Sequence, residues 1–362
     1  MSAPRLEVDL AKVEDNARML VTRLAAKGIS VTAVTKATLG APAVARCVLR
    51  AGASGIGESR IENAEALRQA GIESPITLIR SPMPSQAERV VATAEVSCNT
   101  ELDVVSALSR AARSAGVTHG IVVMVELGDL REGVMPEDLV DTARCVVQFP
   151  NLRLHGIGTN LACRSGVVPD RTKMAELSAL ASAVEATTAT KLAVVSGGNS
   201  ANLTWALGDE PKGRIDDLRI GEAILLGCEP LHRVPIEGLH TDAFALVAEV
   251  IESKVKPAQP SGDRAQSAFG DVAPGTRRGE VAQTLFAVGR QDTDPDGLVA
   301  PAEMEILGAS SDHLVVDTGR VLAPGTEISF RPNYSALVRA MTSPFVAKAY
   351  LPMTEDGLGG AR

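Results

Sequence analysis

The sequence is poor in cysteine and has none of the spacings that cysteine chemistry uses. Its five cysteines, Cys47, Cys98, Cys145, Cys163 and Cys228, are odd in number, scattered over 362 residues and never arranged as CxxC. Neither a disulfide framework nor a zinc site is indicated, so no bound metal is expected and a reducing cytoplasm fits best. A long apolar run is also missing. No stretch reaches the roughly 18–20 apolar residues of a membrane span, and the opening ten residues have no basic end followed by an apolar core. No targeting signal or membrane association is expected. Basic charge is in deficit: 36 Lys and Arg face 44 Asp and Glu, for a net charge of -8. That balance argues against nucleic acid or an anionic membrane as partner and leaves small molecules.

What the sequence does have is length and apolar content, 45% hydrophobic residues, enough for one large α/β domain and a smaller companion. From about residue 30 to 227 short apolar runs alternate with amphipathic segments, the pattern of βα units around a parallel sheet. Eight runs read as strands: 30–35, 54–57, 76–79, 96–98, 119–126, 152–160, 192–195 and 217–220. Eight is the number that closes a TIM-type (β/α)8 barrel. Helix starts are expected at Thr100 with Asp103 as a capping box, at Pro136 and at Asp170, with Leu102, Val105, Leu108 and Ala112 facing the barrel. Beyond about Pro235 the rhythm changes to alternating strands without helices, with Phe244, Leu246, Ala248 and Val250 on one face and further strands at 283–288, 304–308, 313–317 and 327–331. The expected division is a barrel over 1–235, a mostly β C-terminal domain over 236–353 and a frayed tail over 354–362. A mobile excursion is expected over 254–278.

Ser196-Gly-Gly-Asn-Ser200 follows the seventh apolar run and precedes a helix start. Glycines permit close backbone approach, while Asn, Ser and free N–H groups at a helix start suit an anion such as a phosphate. The plain alternative is a strand-to-helix turn capped by Ser200. Lys36 ends the first run, where a barrel strand delivers its last residue to the active-site mouth; desolvation there lowers an amine's pKa and lets it attack an aldehyde. The alternative is a lysine that reaches solvent. Arg131 follows the fifth run and can grip a carboxylate or phenolate, or merely pair with Glu132 or Asp129. Arg219 lies within the apolar eighth run and needs a fixed partner, for which Glu222 and Asp217 are at hand. An amine after strand one, an arginine after strand five, an anion cradle after strand seven and an arginine on strand eight would converge on one barrel mouth.

With Val125-Glu-Leu-Gly-Asp-Leu-Arg-Glu-Gly133, Val195-Ser-Gly-Gly-Asn-Ser200, Leu218-Arg-Ile-Gly-Glu222, Arg290-Gln-Asp-Thr-Asp294 and Leu307-Gly-Ala-Ser-Ser-Asp-His-Leu314, the chain resembles the barrel-type pyridoxal-phosphate enzymes that contain alanine racemase, and within them the ornithine racemase branch. The resemblance implies an eight-stranded α/β barrel, a C-terminal β domain, and a head-to-tail homodimer whose active sites combine one barrel with the partner's β domain. It implies that Lys36 holds pyridoxal 5'-phosphate as a Schiff base. Asn199 and Ser200 with Gly221 would bind the phosphate, Arg131 would face the phenolic oxygen and the substrate carboxylate, and Arg219 would sit at the pyridine nitrogen. Ser196, Asn160 and Glu222 are counted with that cofactor site. An always-charged arginine at the pyridine nitrogen keeps the ring a weaker electron sink, which favours proton removal and return at Cα over transamination.

The chain also departs from that family. Racemisation needs proton donors and acceptors on both faces of the Cα carbanion, and Lys36 serves one. Alanine racemases supply the other as a partner-subunit tyrosine, but Val288-Gly-Arg-Gln-Asp-Thr-Asp294 has none. Asn160 stands where a supporting histidine is usual, Gly40 where a cofactor-contacting tyrosine is, and Met124 where many carry a modified lysine. The opposite-face group is therefore expected from Asp312 and His313, or from Asp292 and Asp294. The acidic Asp292/Asp294 pair would also suit the side-chain ammonium of ornithine, lysine or arginine, though Asp-Thr-Asp-Pro-Asp-Gly is equally a turn. The activity expected is racemisation of basic amino acids. The alternatives are a D-amino-acid lyase or aldolase on the same scaffold, and a carrier of the cofactor without turnover.

Overall fold

The computed structural model describes residues 2–270 and 278–351. Strand β1 (Arg5–Asp9) opens the chain and leads into the helix Leu10–Ala25. Eight strands then alternate with helices: β2 (Ser30–Val34), β3 (Gly55–Glu58), β4 (Ile76–Leu78), β5 (Val96–Asn99), β6 (His119–Val125), β7 (Leu152–Thr159), β8 (Val194–Ser196) and β9 (Asp217–Ile220). They pair in parallel, each with the next, and β9 returns to β2 through Ser30↔Asp217 to Ala33↔Ile220, closing the expected (β/α)8 barrel. Strands covered by helices outside and side chains inside are buried on both faces, which explains why the sequence shows continuous apolar runs here instead of alternation. All seven residues of β6 and all four of β3, β5 and β9 are buried.

The paired ladder is shortest between β8 and β9, the single pair Ser196↔Asp217, and the Asp216, Gly197 and Arg219 N–H groups extend it by donating to the Val195, Asp217 and Gly198 carbonyls. Side chains reinforce that seam. Ser196 Oγ donates to Asp217 Oδ2 at 2.6 Å, Thr32 Oγ1 donates to Asp217 Oδ1 at 2.8 Å, and the Val195 N–H donates to Asp216 Oδ1 at 2.7 Å. Arg219 donates from Nη1 to Ser196 Oγ and from Nη2 to the Thr159 carbonyl, both at 2.5 Å, so one guanidinium reaches across β8 to β7. Below it the barrel interior keeps a cavity of about 420 Å³, lined by Thr32, Thr77, Cys98, Val194 and Asp217 among others.

The helices follow their expected signals only in part. Pro136 opens the turn Pro136–Asp138, and Asp170 caps the helix Arg171–Thr188 by accepting from the Lys173 N–H at 2.9 Å. No Thr100–Asp103 capping box forms: Glu101 is the N-cap of the helix Leu102–Ala115 and makes no side-chain cap. Val105, Leu108 and Ala112 are buried as expected, but Leu102, the first residue of the helix, is 36% exposed.

The chain divides into two units, one spanning Ala11–Thr241 and the other joining the first ten residues to everything from Asp242 onward. The expected division at residue 235, with the N-terminus in the barrel, is thus displaced. Strand β1 belongs to the second unit, pairing antiparallel with β10 (Phe244–Pro257), Leu6 against Leu246 and Val8 against Phe244. A sheet edge can recruit a strand from anywhere in the chain, and a five-residue run carries no mark of its partner. The rest of that unit comprises β11 (Glu280–Phe286), β12 (Leu298–Val299), β13 (Glu305–Ala309), β14 (Leu314–Asp317), β15 (Glu327–Pro332) and β16 (Ala347–Leu351). The order is β12-β15-β10-β11-β14-β13, with β16 parallel to β1. Phe286 and Phe330 meet edge to face with centroids 5.3 Å apart, and Phe244 and Leu6 are buried with them.

Two expectations for this unit change. A helix, Tyr334–Thr342, interrupts the strands; Asn333 caps it by accepting from the Ala336 N–H. Residues 254–257 of the expected excursion continue β10 in register with β11, while 271–277 lie outside the described residues. The tail 354–362 lies outside them as well.

Two stability outcomes are expected. Leu6→Ala empties a fully buried position in β1 and should cost about 2–5 kcal/mol in denaturant unfolding; a loss below 1 kcal/mol would mean that β1 does not belong to the sheet core. Ser196→Ala leaves Arg219 Nη1 and Asp217 Oδ2 short of a buried partner and should cost roughly 1–3 kcal/mol. A neutral result would show that the seam does not rely on this hydroxyl.

Candidate active site

Barrel strands run in parallel, so their C-terminal ends and the loops after them gather at one mouth. Lys36 leaves β2 in the turn Lys36–Thr38, which ends on Leu39 in the left-handed region at φ 54°. Its amine is largely buried, and desolvation first, then the Arg131 guanidinium, pushes it below the ordinary lysine range, against Cys163, Glu58 and Glu132, which favour the charged form. These four side chains come from the loops after β6 and β7 and the end of β3. The structure therefore gathers Lys36 and Arg131 as the sequence reading requires.

Arg131 sits in a loop made rigid by two acids. Glu126 accepts from the N–H groups of Gly128, Leu130 and Arg131. Asp129, fully buried, accepts from the Arg164 and Ser165 N–H groups at 2.9 and 3.0 Å, clipping this loop to the one after β7. The guanidinium itself grips Glu132 with Nε and Nη2, the plain ion-pair alternative, which also sets the direction in which its fork opens.

The Ser196–Ser200 turn is built differently from the sequence picture. Asn199, not Ser200, is the N-cap, and Asn199 and Asn202 form a reciprocal capping box in which Asn199 Oδ1 accepts from the Ala201 N–H and Asn202 Oδ1 from the Asn199 N–H. Asn199 Nδ2 is also occupied, by the Leu161 carbonyl at 2.8 Å, Asn160 Oδ1 at 3.1 Å and Cys163 Sγ at 3.3 Å. Its side chain thus shapes the turn instead of reaching outward. Gly198, at φ 137°, has no room for a Cβ, which would lie 2.3 Å from Asn202 Oδ1; the glycine serves the capping box as much as any ligand. Ser200 Oγ accepts from the Gly221 and Ala223 N–H groups at 3.4 and 3.2 Å, so the β8 and β9 loops present a hydroxyl and two amides together. Asn202 went unnoticed, though its spacing from Asn199 is that of a capping box.

Arg219 is buried on β9, and its partners are Ser196 Oγ and the Thr159 carbonyl; Asp217 is reached only through Ser196. Glu222 pairs instead with Arg233, which takes it away from Arg219 and makes it a clamp on the β9 loop. Asn160, next to Thr159, has a buried Nδ2 that finds no partner among the described residues. An orphaned donor beside Arg219, a hydroxyl-and-amide cradle and a poorly solvated lysine together fit an anionic aromatic aldehyde bound at this mouth.

Glu58 was missed. It ends β3 with no exposed surface, and its carboxyl accepts from Thr35 Oγ1 at 2.5 Å and from Asn63 Nδ2 at 3.0 Å; burial pushes its pKa up to about 7. A carboxylate closing the run Gly55-Ile-Gly-Glu58 was the available signal.

In the second unit, Asp292 is buried and committed to the Gly289 N–H at 3.0 Å and Ser343 Oγ at 3.1 Å, while Asp294 accepts from Ser335 Oγ at 2.5 Å. Asp292 thus ties its turn to Ser343, and Asp294 ties it to Ser335. His313 and Asp312 pair at 2.9 Å (Nδ1···Oδ1) in the β13–β14 turn, where Asp312 is exposed and His313 partly so.

No helix of the described residues is long and apolar enough to cross a membrane. Solved structures with this fold include an alanine racemase from a D-cycloserine-producing Streptomyces lavendulae (TM-score 0.76, 22% identity, 98% of this chain and 99% of that one). A D-threonine aldolase from Filomicrobium marinum has it too (TM-score 0.73, 19% identity, 94% and 89%). A lysine racemase from Thermotoga maritima is 39% identical over 97% of this chain and 99% of its own length, and an ornithine racemase from Acetoanaerobium sticklandii is 34% identical over 96% and 99%. Residues 8–230, the greater part of the chain, match the alanine racemase N-terminal domain. On these grounds and on its barrel and β-unit architecture, the chain belongs to the alanine racemase family.

Proposed function

We propose that this racemase uses pyridoxal 5'-phosphate to interconvert the enantiomers of free basic amino acids, in a reducing cytoplasm and as a head-to-tail homodimer. The observation that carries the cofactor reading is Lys36, a buried amine with a disfavoured positive charge, at a mouth that also presents Arg131 and the Ser200–Gly221 cradle. All five cysteines are free, in keeping with a reducing compartment. Near full-length identity to a lysine racemase and an ornithine racemase supports the basic substrate.

In this reading Lys36 holds the cofactor's aldehyde carbon. The Ser200 hydroxyl and the Gly221 N–H hold its phosphate, with Asn199 and Ser196 keeping the two loops in place. Arg131 would face its phenolic oxygen and the substrate carboxylate, Asn160 would offer its free Nδ2, and Arg219 would meet the ring nitrogen. Once bound, pyridoxal phosphate acidifies the Cα–H of an amino acid joined to it. A neutral Lys36 then takes that proton from one face, and its ammonium can return it. Arg219, anchored to Ser196 and Thr159, keeps its own protons and so restrains chemistry beyond proton exchange. For the opposite face we assign His313, oriented by Asp312 and contributed by the partner subunit, because Asp292 is already engaged by the Gly289 N–H and Ser343 Oγ, and Asp294 by Ser335 Oγ.

Lys36→Ala should abolish the visible absorption band of the bound cofactor and lower turnover by about 10³-fold or more; a retained band would overturn the lysine assignment. In D₂O, deuterium should appear at Cα of both enantiomers. Lysine or ornithine should exceed alanine by about tenfold or more in kcat/KM, the scale on which a site built for a charged side chain rejects a substrate lacking it. Preference for alanine would refute the substrate class.

A further inference from the structure

We propose that Arg290 is a specificity-determining residue, the guanidinium that receives the α-carboxylate of the amino-acid substrate together with Arg131 across the dimer. The inference rests on the racemase and homodimer reading above and extends it. Arg131 commits the Nε and Nη2 edge of its fork to Glu132. That leaves Nη1 to serve both a phenolic oxygen and the two oxygens of a carboxylate, which a guanidinium binds best with two parallel N–H groups. A carboxylate at this mouth therefore calls for a second cation.

The turn at 289–296 offers one. Its acids Asp292 and Asp294 are engaged by the Gly289 N–H, Ser343 and Ser335, while its arginine is poorly paired. Arg290 Nη1 has only a 3.5 Å contact with Asp296 Oδ2, on a side chain that is 80% exposed. Nη2 makes no hydrogen bond among the described residues, and Nε is buried without a partner. The Phe269 ring, 5.4 Å from the guanidinium carbon, supports the cation without occupying its fork. The side chain is 29% exposed, and with Nε buried the donors open to an anion are Nη1 and Nη2. Arg290 is also held in place. Its N–H donates to the Ser310 carbonyl and that of Gln291 to the Ser311 carbonyl, both at 3.0 Å, and the Ser310 N–H donates to the His313 carbonyl at 2.9 Å. Gly289 packs so closely on this second turn that a Cβ would lie 2.3 Å from the Asp312 nitrogen. One fixed pair of turns thus carries both Arg290 and His313. Because an amino acid's carboxylate is bonded directly to Cα, holding the first fixes where the second meets His313.

The test compares L-lysine with L-lysinamide, which lacks the carboxylate charge, on the cofactor-loaded dimer. KM and kcat are measured beside the dissociation constant read from the substrate-induced change in the visible band. Arg290→Gln should raise KM and the dissociation constant for lysine about tenfold or more, the scale of one lost charge-assisted pair, while those for lysinamide stay within about twofold. Arg290→Lys keeps the charge without the fork and should recover part of the loss. Asp296→Asn removes the acid that competes for Nη1 and should lower KM for lysine about twofold; this exposed position carries the test if Arg290→Gln fails to fold. A wild-type ratio of lysine to lysinamide binding in Arg290→Gln, or in its place an unchanged KM in Asp296→Asn, would overturn the proposal. So would an Arg290→Gln protein that falls to monomers with that ratio intact, since Arg290 would then be an interface ion pair. Failure of the underlying reading is a separate outcome, seen as a wild-type protein that is monomeric or exchanges no Cα proton.

Discussion

A single guanidinium organises the barrel mouth. Arg219 is buried on β9, where a charge without partners would be intolerable, and its two donors are met by Ser196 on β8 and by a carbonyl of β7. Because Ser196 in turn donates to Asp217, and Asp217 accepts from Thr32 on β2, one chain of hydrogen bonds spans four consecutive strands across the seam where the paired ladder is shortest. The same interaction that closes the barrel therefore fixes the charge that the racemase presents there.

Around that centre the loops are ordered by the need to satisfy backbone donors. Glu126 and Asp129 collect N–H groups from the β6 and β7 loops, and Asn199 and Asn202 cap each other after β8. Most polar side chains at the mouth are used internally; the Asn160 Nδ2 finds no partner among the described residues, and the Lys36 amine is poorly solvated. A site made from such remainders is pre-organised, since its framework needs no ligand to hold its shape.

The eight barrel strands were legible because parallel strands buried on both faces leave continuous apolar runs, and Lys36 after the first run and Arg219 within the last stand out against them. The Asp170 cap and the Pro136 start were legible for the local reason that caps use neighbouring atoms. Strand β1 was not, since its partners Leu246 and Phe244 lie more than two hundred residues away. The helix Tyr334–Thr342 was hidden inside a domain whose rhythm is otherwise two-residue alternation. Asp292 and Asp294 looked like free acids because nothing local announces that Ser343 and Ser335 will meet them.

Glu58 shows where the division falls. The sequence by itself determined the architecture, the family and the types of residue at each strand end, because periodicity and motif spacing are properties of neighbours along the chain. Only the tertiary structure decided which partner each charged side chain takes: Glu222 with Arg233, Arg131 with Glu132, Arg219 with Ser196, and Glu58 left with neutral donors beside Lys36. Pairing and desolvation depend on distances through space, and those are set when the barrel closes.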